Sequence, residues 1–252
     1  MMRVVKLGGR VQQNEAVQQA LAAAWNADPG SLCIVHGGGD EISALQRAFG
    51  MEPRFVGGRR VTSPDEINLV RMALSGSANK RLVAALQGAG APAVGISGED
   101  GRLLIARESA GGALGRVGEP AAVHAELIEA LLNAGFLPVI SPLASAEDGS
   151  GALNVNGDDA AAAFATALGA DELMLVVDVQ GVVDGGVVIP VLDAESAAGL
   201  IAAGTAAGGM VAKLEAAIRA LEAGVPRVRI GGVAALSDPS SGTALMPARS
   251  LV

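Results

Sequence analysis

Hydrophobic and polar positions alternate in blocks along this chain. Short β-branched runs give way to longer stretches with apolar residues three and four apart. That alternation predicts an α/β fold around a largely parallel sheet. Arg3–Leu7 reads as a buried strand running into Gly8-Gly9, and Asn14 is placed to cap a helix of about 12 residues that presents Val17, Leu21 and Ala24 on one face. Residues 32–35 read as a second buried strand ending in His36-Gly37-Gly38-Gly39. Residues 40–49 then space Ile42, Leu45 and Phe49 as a helix does. Gly57-Gly58, between residues 54–56 and Arg60-Val61, predicts a hairpin, and Pro64 opens a helix at its first turn.

The same reading continues with a helix over 78–89, a strand over 93–96 and short antiparallel strands within 102–118. A helix over 121–133, closed by Gly135, precedes a buried strand at 137–141. Residues 149–157 read as a loop before an Ala-rich helix over 158–168. The strand 172–177 ends at Asp178; a helix over 212–223 and a strand over 227–230 follow. No repeat, linker or clear domain boundary interrupts the pattern.

Composition narrows the picture. The 252 residues include only four Phe, one Trp and no Tyr, so Ala, Val, Leu and Ile must fill the core, which suits helices packed closely on buried parallel strands. One cysteine, Cys33, and two histidines exclude a disulfide framework and a Cys/His zinc site. No long apolar run suggests a leader or a membrane span, so a cytoplasmic protein is expected. With 18 Lys plus Arg against 26 Asp plus Glu, the formal charge of -8 argues against a nucleic-acid or anionic-membrane surface. An anionic metabolite would need a local cluster of cations.

The familiar phosphate and nucleophile motifs are missing. There is no G-x-x-x-x-G-K-[ST], no G-x-G-x-x-G after a strand, no protein-kinase signature and no G-x-S-x-G. Four strand or helix ends carry unusual residues instead. Lys6 ends an inner strand, where an ammonium is expensive to desolvate without an anion; alternatively it is an edge lysine reaching solvent. Gly37-Gly38-Gly39 could offer backbone N–H groups to an anion, or form a plain tight turn. Asp158, in Asn154-Val155-Asn156-Gly157-Asp158, could be a functional carboxylate or a helix N-cap. Lys213 opens a helix, against the macrodipole preference, and reads either as an anion ligand or as a solvated surface lysine.

Taken in order, K-L-G-G at the start, V-H-G-G-G near 37, G-G-R-R-V-T near 60, N-V-N-G-D near 156, D-V-x-G near 180 and G-G-M-x-x-K near 211 resemble the amino acid kinase family over essentially the whole chain. The resemblance is greatest to members that phosphorylate N-acetyl-L-glutamate in arginine biosynthesis. It implies a three-layer αβα sandwich with a mostly parallel central sheet, an amino-terminal lobe (1–170) for the acyl amino acid and the dimer contact, and a carboxy-terminal lobe (171–252) for ATP. The implied reaction moves the γ-phosphoryl of ATP to a side-chain carboxylate. That acceptor is already ionised at neutral pH and needs charge neutralisation rather than a general base.

By resemblance, Lys6 and Lys213 neutralise the two anions, and Asp158 orients both lysines. Gly8 and Gly9 cradle phosphate. Gly38, Gly39, Arg60 and Asn154 hold the substrate, with Arg60 gripping a carboxylate. Asp178, Val179, Gln180, Gly181, Val182 and Val183, with Thr205, Ala206 and Ala207, fall where the family binds ATP. Mg2+ is expected to ride mainly on the ATP phosphates, with no protein metal site. Relatives inhibited by arginine carry an additional helix before the first strand. Its lack here implies a homodimer insensitive to arginine. Two other readings are a kinase for α-aminoadipate or glutamate bound to a carrier protein, and a non-catalytic metabolite sensor. Gly39 and Arg60-Val61-Thr62 favour the free acetylated substrate; Lys6, Asp158 and Lys213 together favour catalysis.

Overall fold

The computed structural model describes residues 1–247; the last five residues of the expected single domain lie outside the described residues. In chain order the elements are β1 (Arg3–Leu7), α1 (Glu15–Ala27), β2 (Leu32–His36), α2 (Gly39–Ala48), β3 (Phe55–Val56), β4 (Arg59–Arg60), α3 (Ile67–Arg71), a π-helical stretch (Met72–Ala78) and α4 (Asn79–Gly88). They continue with β5 (Ala93–Ser97), β6 (Leu104–Glu108), β7 (Val117–Val123), α5 (Glu126–Asn133), β8 (Leu137–Ser141), β9 (Leu143–Ala146), β10 (Ala152–Val155) and α6 (Gly157–Ala167). Last come β11 (Glu172–Val176), β12 (Val183–Asp184), β13 (Val187–Val188), β14 (Val191–Leu192), α7 (Ala194–Ala202), α8 (Gly209–Glu222), β15 (Val228–Gly231) and β16 (Thr243–Leu245).

Eight strands form one sheet in the order β14-β16-β15-β11-β1-β2-β8-β5, parallel except for the β15–β16 pair. Its inner strands carry almost unbroken apolar runs because both faces are covered. On one face Val5, Leu7 and Ile34 pack with Val17, Leu21 and Trp25 of α1 and Leu82 and Leu86 of α4. On the other, Val4, Val35 and Leu175 meet Ala160, Ala161 and Phe164 of α6 and Leu214 and Ala217 of α8. The small alanines let α6 lie close to the sheet, as the scarcity of aromatics anticipates. This is the expected three-layer αβα sandwich.

The strand order reverses at β1, which pairs with β2 on one side and β11 on the other; Leu7 stands opposite both His36 and Val176. Ligands of open α/β sheets bind in the crevice that such a reversal opens beyond the carboxyl ends of the strands. Gly8-Gly9, Gly37-Gly38-Gly39 and Asp178 all leave their strands there.

Several local expectations change. Residues 121–123 belong to β7, not to a helix, which begins only at Glu126. β7 is long because it closes a four-stranded barrel with β6, β9 and β10. Pairing within that barrel outweighs the helical propensity of Ala121 and Ala122. The loop expected over 149–157 contains β10, which completes the same barrel. Pro64 sits in a turn ahead of α3, whose first helical residue is Ile67. The stretch from α3 to α4 is continuous through the π-helical turns.

Candidate active site

Lys6 lies on β1 with only 7% of its surface exposed, so its ammonium needs a fixed anion. Asp158, 3% exposed, supplies one: Lys6 Nζ stands 2.7 Å from its Oδ1. Lys213 Nζ reaches the other oxygen at 3.4 Å and also donates to the Gly209 carbonyl at 3.3 Å. Burial pushes the Asp158 carboxyl up, but the two ammonium groups outweigh it and hold the acid below its usual range. The N-cap alternative for Asp158 falls away, because Asn156 caps α6 by accepting from the Asp158 N–H at 2.8 Å. The Asp158 side chain is thereby left to the lysines. Lys213 is brought in by a turn at Gly208, whose φ of +55° favours glycine.

The two glycine loops face each other across the crevice. Gly8 donates to the Val176 carbonyl at 3.2 Å and Gly37 to that of Leu7 at 3.0 Å, which fixes both loops to strand ends. A Cβ on Gly9 would stand 3.6 Å from the Gly39 nitrogen, between the loops. A Cβ on Gly38 would come within 2.6 Å of Leu74 Cδ2, on the π-helical stretch. His36 pins the second loop: its ring meets the Gly37 carbonyl at 2.8 Å through Nδ1 and Asn79 at 3.1 Å through Nε2.

Arg60 projects from the β3–β4 hairpin, and α2 holds its guanidinium. Nη2 donates to the Gly39 carbonyl at 2.7 Å and to Ser43 Oγ at 2.8 Å, and Nη1 donates to Gln46. Phe55 stacks on it at 4.7 Å. Gln46 in turn donates to Glu66 at 2.6 Å. Burial lowers the Arg60 pKa, opposed by Glu66, yet a guanidinium keeps its charge. Asn154, on β10, donates to Thr62 Oγ1 at 3.1 Å.

A cavity of about 280 Å³ is lined together by Lys6, Gly38, Gly39, Arg60, Asn154, Asp158 and Lys213. Beside it, Gly8, Gly9, Asp178 and Lys213 line a second cavity of about 240 Å³. A third, of about 600 Å³, takes in Asp178, Val179 and Gln180 together with Arg10 and Gly232. Lys213 therefore touches both of the first two spaces. Gly181 and Val182 turn away: Val182 is buried in the core, and its N–H donates to Thr243 Oγ1 at 2.8 Å. Val183 starts an exposed hairpin. Thr205 and Ala207 are exposed, Ala206 is buried, and none of the three lines these cavities. The neighbouring Gly208 and Gly209 do line the first.

Other residues at the site carry no motif. Asp159, next to Asp158, takes ion pairs from Arg59 and Arg219. Burial raises its carboxyl above the usual range against the pull of both guanidiniums. A second acid in the first turn of a helix reads from sequence as an ordinary dipole partner. Its doubling after N-V-N-G is the one signal that could have singled it out.

The comparisons with known proteins cover nearly all of the chain. The family model described as the Amino acid kinase family matches residues 1–232. A protein of Roseiflexus castenholzii named acetylglutamate kinase is 46% identical over 229 residues, 90% of this chain and 88% of that one. Among solved structures, smu.665 from Streptococcus mutans superposes with a TM-score of 0.87 at 29% identity, covering 97% of this chain and 98% of that chain. An N-acetylglutamate synthase from Neisseria gonorrhoeae, solved with coenzyme A and N-acetyl-glutamate, gives 0.82 at 25% identity over 99% of this chain and 60% of that chain. The match spans the strands, glycine loops and helices that build the crevice, and the chain belongs to the amino acid kinase family.

Proposed function

We propose that this chain is an acetylglutamate kinase. It transfers the γ-phosphoryl of ATP to the γ-carboxylate of N-acetyl-L-glutamate, giving N-acetyl-L-glutamyl 5-phosphate and ADP in arginine biosynthesis. The observation that carries the reading is the Lys6–Asp158–Lys213 cluster, set where the acceptor-sized cavity meets the glycine-lined one. The acceptor carboxylate and the γ-phosphoryl are both anionic, and bringing them together requires positive charge fixed in place beforehand. Lys6 stands on the acceptor side and Lys213 on the phosphate side, and Asp158 holds both still. Backbone N–H groups of Gly9, Gly38 and Gly39 receive phosphoryl oxygens and the acceptor, while Gly8 spends its own N–H on the Val176 carbonyl and shapes the phosphate loop. Arg60 and Asn154 orient the acetylated amino acid.

In this reading residues 1–170 serve the acceptor and residues 171–252 the nucleotide, with Asp178, Val179 and Gln180 on the nucleotide side. Among the described residues no group of three acidic, His or Cys side chains gathers to cage a cation. Asp178 at the phosphate cavity fits a Mg2+ carried mainly by phosphate oxygens, where the ion would offset phosphate charge. A homodimer belongs to the same proposal, and light scattering tests it against the 24.9 kDa chain. No helix among the described residues is long and apolar enough to cross a membrane.

Trapping the acyl phosphate with hydroxylamine tests the reaction directly. Hydroxamate should form with MgATP and N-acetyl-L-glutamate, and not with L-glutamate, L-aspartate or N-acetyl-aminoadipate. Silence with every free amino acid would overturn the proposal in favour of a carrier-bound acceptor or a sensor.

A further inference from the structure

We propose that Asp159 is a positioning residue that ties the acceptor-side hairpin to the phosphate-side helix, so that the two walls of the cleft hold their spacing together. The inference rests on the reading above for the roles of Arg60 and Lys213.

The hairpin is weak by itself. β3 and β4 are two residues each, and a Cβ built on Gly57 or Gly58 at the tip would meet open space. An isolated two-stranded ribbon of this size is not stable in water. Arg60 fastens one side of it to α2. Arg59 fastens the other side, with Nη2 at 2.9 Å from Asp159 Oδ2. The second Asp159 oxygen takes the guanidinium of Arg219, six residues beyond Lys213 on α8. One carboxylate on α6 therefore joins elements from opposite sides of the acceptor cavity, whose lining includes Arg59 and Arg60 from one element and Ala212 and Lys213 from the other.

Packing through Ala161, Phe164, Leu214 and Ala217 joins α6 to α8, but it does not carry the hairpin to either helix. Arg59, Asp159 and Arg219 border a cavity of about 500 Å³ walled largely by alanines of β7 and α6. A second gap of about 290 Å³ separates Gly57 and Gly58 from Val211, Ala212 and Glu215 of α8. With open space behind the bridge and beside it, the ion pairs set the distance between hairpin and helix. Asp159 is only 6% exposed, and of its two pairs the one with Arg59 is the better shielded from salt, since Arg219 is about half exposed. Its neighbour in sequence holds both catalytic lysines. A shift of either guanidinium is thus felt in the first turn of α6, where geometry is worth most to the reaction.

Arg219 does not line the acceptor cavity and is half exposed, which makes Arg219→Gln the cleanest test. Hydrogen exchange of the hairpin amides, including Val61 N–H bonded to the Arg54 carbonyl at 2.9 Å, should quicken about tenfold in R219Q, although the substitution lies on another element. KM for N-acetylglutamate should rise about tenfold with a smaller change in kcat, and Arg219→Lys should restore most of it. Asp159→Asn should raise KM for both substrates. Wild-type hairpin exchange and acceptor KM in a folded R219Q protein would overturn the proposal. If wild-type protein makes no hydroxamate, the acetylglutamate reading fails instead, and the exchange measurement still decides whether the tether exists.

Discussion

Two carboxylates are buried against cations at opposite ends of the central sheet, and they are finished differently. Glu172 opens β11 at the amino edge. Arg229 grips it with Nε at 3.1 Å and Nη2 at 3.0 Å, both side chains are almost wholly enclosed, and the spare Nη1 donates to the Asp238 carbonyl at 2.9 Å. Asp158 lies beyond the carboxyl edge and meets two ammonium groups rather than a planar fork. An ammonium carries three donors: Lys6 spends one on the carboxylate, Lys213 spends one there and one on the Gly209 carbonyl, and the rest are free to turn toward the cavity. The Glu172 cluster is closed by its own bidentate geometry. The Asp158 cluster is left chemically open on the side that faces the cavity. Burial of charge alone does not separate the two clusters; unsaturated donors beside a cavity do.

Substituting each cluster separately tests that distinction. Lys213→Ala should cut kcat about 10³-fold, since it removes charge needed only as the phosphoryl group moves. Its melting temperature should stay close to wild type, because Asp158 keeps Lys6. Glu172→Gln should do the reverse. It leaves Arg229 buried without its counter-ion, at a cost of about 3 kcal/mol in urea unfolding, with kcat and KM unchanged. A kinetic defect in E172Q that matched K213A would erase the contrast between the two clusters.

The open cluster was legible in the sequence, and the closed one was not. Lys6, Asp158 and Lys213 sit at ends of elements whose hydrophobic period is strong, so a strand–glycine or glycine–helix boundary locates each of them. Arg60 is singled out by the family resemblance alone, and Gln46 and Ser43, which hold it, lie on a helix with no motif. Glu172 and Arg229 read as unremarkable strand-end charges, and only the β11–β15 pairing brings them together. The barrel strands β9 and β10 were hidden for a related reason. Pro142 and the Gly-rich run 149–151 signal turns, and the short segments they bound become strands only through partners such as β7. The π-helical stretch has no sequence period of its own, yet it delivers Leu74 to Gly38. Thr205-Ala206-Ala207 carries no signal beyond its position in the family pattern, and it runs directly into the cleft residues Gly208 and Gly209 without lining the cleft itself.

A subtler effect separates the glycine loop from the ion clusters by pH. His36 is wholly buried, with Nδ1–H donating to the Gly37 carbonyl and Nε2 accepting from Asn79, a pairing that only the neutral ring can make. Asn79 is itself held by the Val139 carbonyl at 2.9 Å. Burial lowers the His36 pKa to about 4; the Gly37 carbonyl opposes this, and Arg81, Lys6 and Lys80 add to it. The unfolded chain takes up the His36 proton near its ordinary 6.5, so it binds more protons than the folded protein as pH falls below that value. Stability should drop by about 1.5 kcal/mol between pH 6.5 and 5.0. Asp158 adds nothing in that window: its carboxyl is held below an ordinary value of 3.8, so its contribution is lost only on further acidification. Urea midpoints at the two pH values should show this slope in the wild type and lose it in His36→Asn. A slope that survives the substitution would assign the acid sensitivity to another group and leave the loop's anchor indifferent to protons.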